Sequence, residues 1–375
     1  MSDYFGKDTF KLGFGLMRLP KLEDGSIDVE QTKEMVDRFI EAGGTYFDTA
    51  YVYDNGESET VAGKALIQRY PRDSFTLATK MNAWMGRPSM EETKKQFETS
   101  LERTGAGYFD YYLLHALQDN NYQIYKDYDL FNYVRSLKEE GKVKHWGFSF
   151  HSSPEMLDKI LTENPDVDFV QLQINYADWD NPNVASRRNY ETARAHGKSI
   201  TVMEPIKGGK LADPLDEIKE LFKQANPDAS YASWAIRFVA SLDGIITVLS
   251  GMSNIEQMED NVSYMRDFKP LTEEEQEVIR KAQQILESAK EIPCTACHYC
   301  TEGCPMNINI PDIFAAVNEF SRYHVDFHLG RNYRIATTDH GKASDCIQCG
   351  QCESVCPQQL PIIDLLKKAA ELAEK

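Results

Sequence analysis

The chain has 375 residues, 42% of them apolar, with a formal net charge of −18 and eight cysteines. That length fits two domains, and the acidic balance disfavours partners such as nucleic acid or anionic membrane. No run of about 18 apolar residues reads as a membrane span, and MSDYFGKDTF lacks the basic-then-apolar order of a secretory signal.

Residues 10 to 265 alternate short apolar runs with amphipathic stretches. The runs KLGFGLMRL (11–19), TYFDTA (45–50), SFTLATKM (74–81) and YFDYYLLH (108–115) read as strands. So do KHWGFSF (144–150), DFVQLQIN (168–175), SITVMEP (199–205) and GIITVLS (244–250). Several are apolar on both faces, as buried parallel strands are. Between the first two, Met35, Val36, Phe39 and Ile40 share one helical face, Asp28 and Gln31 have capping-box spacing, and Gly43-Gly44 ends the helix. Helices follow near 58–69, 89–104, 129–140, 154–163, 184–196, 229–241 and 254–264. Eight βα units in this length match an α/β (β/α)8 TIM barrel. A doubly wound sheet is the alternative, but no glycine-rich dinucleotide fingerprint follows any strand. The expected division is a barrel over 1–270, a linker helix over 271–290 and a small, mainly α-helical module over 291–375.

All eight cysteines fall in that last module, in two copies of one pattern. The first is Cys294, Cys297, Cys300 and Cys304 followed by Pro305. The second is Cys346, Cys349, Cys352 and Cys356 followed by Pro357. This Cys-x2-Cys-x2-Cys-x3-Cys-Pro spacing is that of ferredoxin-like iron–sulfur ligation, and two copies predict two [4Fe–4S] clusters. In two-cluster ferredoxins the fourth cysteine of each run serves the other cluster. One set is then Cys294, Cys297, Cys300 and Cys356, and the other Cys346, Cys349, Cys352 and Cys304. Disulfides and zinc are the competing readings. Reduced thiols without a signal favour a cytoplasmic location. Zinc ribbons space paired Cys-x2-Cys units farther apart.

Barrel function gathers at the C-terminal ends of strands. Asp48 and Tyr53 follow strand 2, Lys80 ends strand 3, His115 ends strand 4, Ser149 ends strand 5, and strand 6 carries Gln173 and Asn175. Each alone is weak: a strand-end Asp is often a loop cap, and a lone His is more often structural. Together, from consecutive strand ends, they form a candidate site.

On these residues the chain resembles the aldo/keto reductases. FDTAxxYxxGxSE and the LLH closing strand 4 carry the likeness, with Asp48, Tyr53, Lys80 and His115 matching the family's catalytic tetrad. The whole chain is similar to the bacterial subgroup with a C-terminal iron–sulfur ferredoxin domain. The resemblance implies hydride transfer between NADP or NAD and a small carbonyl or alcohol substrate. Tyr53 would be the general acid or base, its pKa lowered by Lys80, with Asp48 holding Lys80 and His115 orienting the carbonyl. It also implies that Ser149 and Gln173 hold the nicotinamide carboxamide. A phosphate site is expected in the loop of Pro205, Ile206, Lys207, Gly208 and Lys210. The segment of Gly251, Ser253, Gln257 and Asn261 is its other side, where Ser253 and Glu256 have capping-box spacing at a helix N-terminus. Three positions depart from the family pattern. Phe150 stands where Asn is frequent, and Met203 where an aromatic stacks. Gly251 and Gln257 stand where a basic pair grips the 2′-phosphate.

Loops 82–90 and 116–128, with Trp84, Met85 and Tyr122, would line a substrate pocket or simply pack. Two further readings remain open. One is an electron-transfer oxidoreductase whose clusters serve a protein partner while the barrel holds the substrate. The other is an iron or oxygen sensor built on a retired barrel.

Overall fold

The structure, a computed structural model, describes residues 10–288, 291–323 and 326–374. The N-terminal stretch read above for a signal lies almost wholly outside the described residues, as do the last two residues of the expected linker. The chain forms two compact units. The first is Met1–Ile206 with Leu211–Arg280, and the second Lys207–Lys210 with Lys281–Lys375.

The first unit is a closed barrel of eight parallel strands in sequence order. They are β1 (Leu12–Gly15), β2 (Tyr46–Asp48), β3 (Thr76–Met81), β4 (Phe109–Leu117), β5 (Val143–Phe150), β6 (Phe169–Gln173), β7 (Ser199–Met203) and β8 (Ile245–Ser250). The helices are α1 (Val29–Glu41), α2 (Glu57–Ala62), α3 (Met90–Thr104), α4 (Tyr122–Asp127), α5 (Leu130–Glu139), α6 (Pro154–Glu163), α7 (Ser186–Ala195), α8 (Asp216–Ala225), α9 (Tyr231–Ala240) and α10 (Ile255–Met265). Helix α11 (Glu273–Ser288) begins in this unit and ends in the second. Helices α4 and α8 fall in stretches the periodicity leaves as loops. Helix α2 is shorter than expected and passes into a π-turn over Gly63–Ile67. There a Cβ on Gly63 would lie 2.9 Å from the carbonyl oxygens of Arg103 and Thr104, so the two chains pack backbone to backbone.

Two apolar layers build the barrel. Strand faces turned outward pack under the helices through residues such as Phe14, Phe39, Phe47, Leu77, Phe97 and Tyr112. Inside, Tyr46, Ala78, Tyr111, Leu113, Phe169, Ile246 and Leu249 form a separate buried plug. Gly147 makes room for it, since a Cβ there would sit 2.4 Å from the Phe169 carbonyl oxygen and 2.9 Å from its ring. Side chains alternate along a strand with period two. Asp48 therefore lies one step above Tyr46, Lys80 one above Ala78, and His115 one above Leu113. The plug forms the floor on which these polar side chains stand.

The second unit holds α12 (Tyr299–Glu302), α13 (Ile310–Tyr323), α14 (Asp326–Ala336), α15 (Gln351–Ser354) and α16 (Ile362–Ala373). Its core is Ile308, Ile310, Ile313, Phe314, Leu360, Ile362 and Leu366, packed with Cys300, Cys352 and Cys356. Asn318 clamps the chain entering it, accepting from the Ile292 amide at 2.7 Å and donating to its carbonyl at 2.8 Å. The cysteine duplication extends to the backbone. Left-handed residues recur at matching offsets after the first cysteine of each run: Ala296 and Gln348, His298 and Gly350, Asn307 and Gln359. Among the described residues no helix is long and apolar enough to cross a membrane.

Candidate active site and cluster domain

Asp48, Lys80, His115 and Tyr53 meet at the C-terminal end of the barrel. Lys80 is buried, and its amine donates to Asp48 Oδ1 and, at 2.8 Å, to the Thr49 carbonyl. The same amine lies 4.9 Å from the centre of the Tyr53 ring. The Tyr53 and His115 rings meet edge to face with centroids 5.7 Å apart. Among the described residues, buried Asp48 Oδ2 and His115 Nδ1 meet no hydrogen-bond partner.

The segment FDTAYVYDNGESE holds Tyr53 in place through a polar frame behind it. Ser58 Oγ bonds Thr49 Oγ1 at 2.7 Å and donates to the Leu16 carbonyl at 2.9 Å. Glu59 is fully buried. It accepts from Thr79 Oγ1 at 2.7 Å and from Arg103 at 3.0 Å, and Arg103 also donates to the Tyr51 carbonyl. Asp54, Asn55 and Gly56 all carry positive φ. A Cβ on Gly56, at φ 89°, would fall 2.4 Å from the Arg103 guanidinium. Asp48, Thr49, Gly56, Ser58 and Glu59 of the motif thus each have a physical duty.

His115 sits at an irregularity, where the β4–β5 register shifts between Leu114 and Leu117 and Ala116 is left-handed. Its carbonyl accepts from Trp84 Nε1 at 3.2 Å and Tyr125 Oη at 2.5 Å. Trp84 therefore supports the histidine. Tyr122 is buried against Phe131 and donates to Glu163, so it is packing.

Burial sets the protonation states. It pushes Asp48 up and Lys80 down, each opposed by attraction to the other. His115 is held well below the ordinary imidazole value by burial, then by Lys80 and His151, so it is neutral at physiological pH. Tyr53 departs from expectation: its pKa is raised well above 10, by burial first and then by Asp48 and Glu204, while Arg18 opposes. Arg18, Glu204 and His151, which follow β1, β7 and β5, were missed in the sequence. Their position beyond strand ends was the available signal.

The donor set fits a primary carboxamide, which has one acceptor oxygen and one donor nitrogen. Ser149 Oγ accepts from the Ala116 amide at 2.7 Å, so its own hydrogen is left to donate. Gln173 Nε2 donates to Asp178 at 3.2 Å, which turns the amide oxygen away as an acceptor.

The expected phosphate segments are arranged differently from their sequence reading. Pro205 and Ile206 close the barrel side of the loop, whereas Lys207–Lys210 belong to the second unit. There Lys207 Nζ reaches Gln358 Oε1 at 3.4 Å and Lys210 Nζ the Ile292 carbonyl at 2.9 Å. Helix α10 is capped by Asn254, which accepts from the Gln257 amide, and the expected Ser253–Glu256 box does not form. Asn254 has the extended backbone that a cap requires. Ser253 instead donates to the Arg18 carbonyl, and its amide is bonded by the Gln257 side chain. Gly251 lies beside Arg18. Asn261 is a buried brace to Ser250 Oγ.

In the second unit the cysteines ring two cavities. One is lined by Cys294, Cys297, Cys300 and Cys356. The other is lined by Cys304, Cys346, Cys349 and Cys352. None of the eight is in a disulfide. Among the described residues no three His, Cys, Asp or Glu side chains close on a single-ion point. Four sulfurs around a volume suit a polynuclear cluster. Burial and then neighbouring thiols push the Cys300 thiol up, and burial raises Cys352 to about 11. Such thiols ionise when a metal supplies the compensating charge. The Ile308 amide already points at Cys304 Sγ, 3.4 Å away.

A parallel eight-stranded barrel with this strand-end set, in one chain with a cysteine-ringed helical unit, defines an oxidoreductase-type architecture. The chain belongs to the aldo/keto reductase family, matched over residues 11–284, and residues 293–360 match the 4Fe-4S dicluster domain. It is 26% identical over 302 residues to the uncharacterized oxidoreductase YqkF of Bacillus subtilis, covering 72% of this chain and 90% of that protein. The holo form of aldo-keto reductase AKR11C1 from Bacillus halodurans superposes with a TM-score of 0.60 at 27% identity, covering 72% of this chain and 91% of that one. An aldo/keto reductase from Klebsiella pneumoniae, crystallised with NADP and acetate, shares the fold with a TM-score of 0.59 at 22% identity, over 73% and 91% of the two chains.

Proposed function

We propose that this chain is a nicotinamide-dependent oxidoreductase of small carbonyl and alcohol substrates, with catalysis in a barrel domain of residues 1–270. A linker helix (271–290) would join it to a domain (291–375) holding two [4Fe–4S] clusters. The observation that carries the reading is the buried Lys80–Asp48 pair beneath Tyr53, with His115 facing the same ring.

When bound, NADP or NAD supplies or accepts the hydride. The chain's own residues handle the oxygen. His115, neutral, hydrogen-bonds the carbonyl oxygen and orients it. Tyr53 delivers its proton to that oxygen as negative charge develops, and reclaims it in alcohol oxidation. A Tyr53 pKa raised by burial keeps the proton in place until it is needed, which favours reduction. Lys80, held by Asp48, stabilises the tyrosinate left behind. Ser149 and Gln173 hold the carboxamide by their complementary donor and acceptor. Backbone amides of the segment of Gly251, Ser253 and Gln257, with those near Pro205 and Ile206, take the phosphates, whereas Lys207, Gly208 and Lys210 belong to the second unit and Asn261 braces Ser250. The NADP in the Klebsiella relative supports the phosphorylated cofactor, while Gly251 and Gln257 offer no cation to its 2′-phosphate. Reduced thiols as ligands favour the cytoplasm.

The test is Tyr53→Phe in anaerobically purified protein, assayed with NADPH and NADH against small aldehydes and ketones. Turnover should fall at least about 100-fold with cluster absorbance unchanged. Full activity would sink the reading.

The two four-cysteine cavities favour a second reading. In it the clusters exchange electrons with a protein partner and the barrel holds the substrate. It requires turnover driven by a reduced low-potential carrier, and it fails if cluster-depleted, folded protein keeps all of its activity.

A further inference from the structure

Three polar side chains at the end of β6 are buried together: Gln173, Asn175 and Asp178, at 5%, 0% and 1% exposure. Asp178 Oδ2 accepts from Gln173 Nε2 at 3.2 Å and from Asn175 Nδ2 at 2.9 Å. Asn175 Oδ1 accepts from the Asp178 amide at 2.8 Å, and its Nδ2 also reaches the Glu204 carbonyl at 3.1 Å. The backbone of Gln173 is fixed as well, its carbonyl accepting from Ser186 Oγ at 2.8 Å.

A glutamine amide has a donor end and an acceptor end of nearly the same shape, so sterics alone do not choose between its two orientations. An ionised carboxylate only accepts. With Asp178 beside it, the reversed Gln173 would bring oxygen against oxygen in a buried site, losing a hydrogen bond and adding repulsion. The carboxylate therefore keeps the nitrogen of Gln173 toward itself and the oxygen away. Ser149, on the neighbouring strand, offers the opposite polarity.

We infer that Asp178 is a positioning residue for the dinucleotide. By locking the Gln173 amide it makes this strand end an acceptor, and so selects a nicotinamide ring whose carboxamide presents its NH2 group. This rests on the reading of Ser149 and Gln173 as the carboxamide-holding pair. Asp178 itself need not touch the cofactor.

The test is a binding measurement without turnover. Tryptophan fluorescence of the anaerobically purified holoprotein is titrated with NADP or NAD, whichever the wild type binds more tightly. The titration is repeated with the thionicotinamide analogue, which keeps the NH2, and the 3-acetylpyridine analogue, which replaces it with methyl. In the wild type the acetylpyridine form should bind about ten-fold more weakly than the natural dinucleotide, and the thio form nearly as well. In Asp178→Asn the ratio should collapse toward one, because the introduced amide can donate or accept and no longer excludes the reversed Gln173. Asp178→Ser, smaller and also able to do both, gives the same expectation if the first variant folds poorly. The double variant Gln173→Glu/Asp178→Asn should restore the preference, since the new amide then donates and the new carboxylate keeps an oxygen to accept with. An unchanged ratio in the single variants, or equal weakening of all three dinucleotides, would leave Asp178 a structural residue and overturn the inference. A wild type that binds without discrimination does the same. A wild type that binds no dinucleotide fails the underlying function reading instead, which keeps the two failures apart.

Discussion

Lys80 and Asp48 form a closed ion pair inside the barrel, with the lysine side chain 0% and the aspartate side chain 4% exposed. Charges this deep are costly to desolvate and depend on each other. Lys80→Met should remove the amine beside Tyr53 and strand a carboxylate in the interior, at a cost of about 3–5 kcal/mol. Burial already makes Asp48 harder to ionise than in the unfolded chain, and without Lys80 that bias grows. A group whose pKa is higher in the folded state loses stability as pH rises and regains it as pH falls. Urea denaturation of the variant should therefore show a deficit that shrinks on acidification toward about pH 4. A pH-independent deficit would contradict the account.

The pH–rate profile follows from Tyr53 and His115. His115 lies well below its ordinary pKa and Tyr53 well above, both chiefly through burial. Carbonyl reduction, which needs the phenol, should run flat from about pH 6 to 9. Alcohol oxidation needs the phenolate and should still be rising near about pH 10. Glu204 pushes Tyr53 up, and Arg18 opposes it. Glu204→Gln should move the alkaline limb of oxidation to lower pH, and Arg18→Met should move it to higher pH. Profiles measured at saturating substrate decide this, and coincident limbs in all three proteins would refute it.

The motif around Tyr53 was legible because its residues serve each other locally: Ser58 ties to Thr49, and Gly56 leaves space for Arg103. The strand order was legible because both faces of each strand are buried and their apolar runs are unbroken. The residues that act on Tyr53 from afar were not. Arg18 and Glu204 are 35 and 151 positions from it in sequence, and only closure of the barrel brings their charges to bear on it. Asn254 displaced Ser253 as a cap because capping depends on backbone angle, which spacing alone does not reveal. Helix α8, with only Ile218 and Phe222 fully buried, carries too short an apolar face to announce itself.

Gly56→Ala tests the frame behind Tyr53. The position has φ 89°, and an added methyl would meet the Arg103 guanidinium, which is held by Glu59 and the Tyr51 carbonyl. Strained backbone and a displaced arginine should cost about 1–3 kcal/mol. They should also lower kcat, because Tyr53 begins the turn that Gly56 ends. Gly86→Ala, also at positive φ but with open space around it, is the control for backbone strain alone. It should cost less and leave kcat within about two-fold. Equal losses in both would assign the effect to φ and leave the Arg103 contact without a role.

Cluster ligation has a sharper test, because the proposed sets cross between the two cysteine runs. Cys356 lines the cavity of Cys294, Cys297 and Cys300, while Cys304 lines that of Cys346, Cys349 and Cys352. Two [4Fe–4S] clusters mean about eight irons per chain. If ligation is crossed, Cys297→Ser combined with Cys356→Ser damages one cluster only, and the pair should lose no more iron than either alone. Cys297→Ser combined with Cys304→Ser damages both, and that pair should lose more iron than either variant alone. Sequential ligation gives the reverse: Cys297→Ser with Cys304→Ser would then be the pair confined to one cluster. Iron and sulfide analysis with low-temperature EPR of the reduced proteins separates the two patterns. Nonadditive loss in the Cys297/Cys304 pair, and additive loss in the Cys297/Cys356 pair, would overturn the crossed assignment.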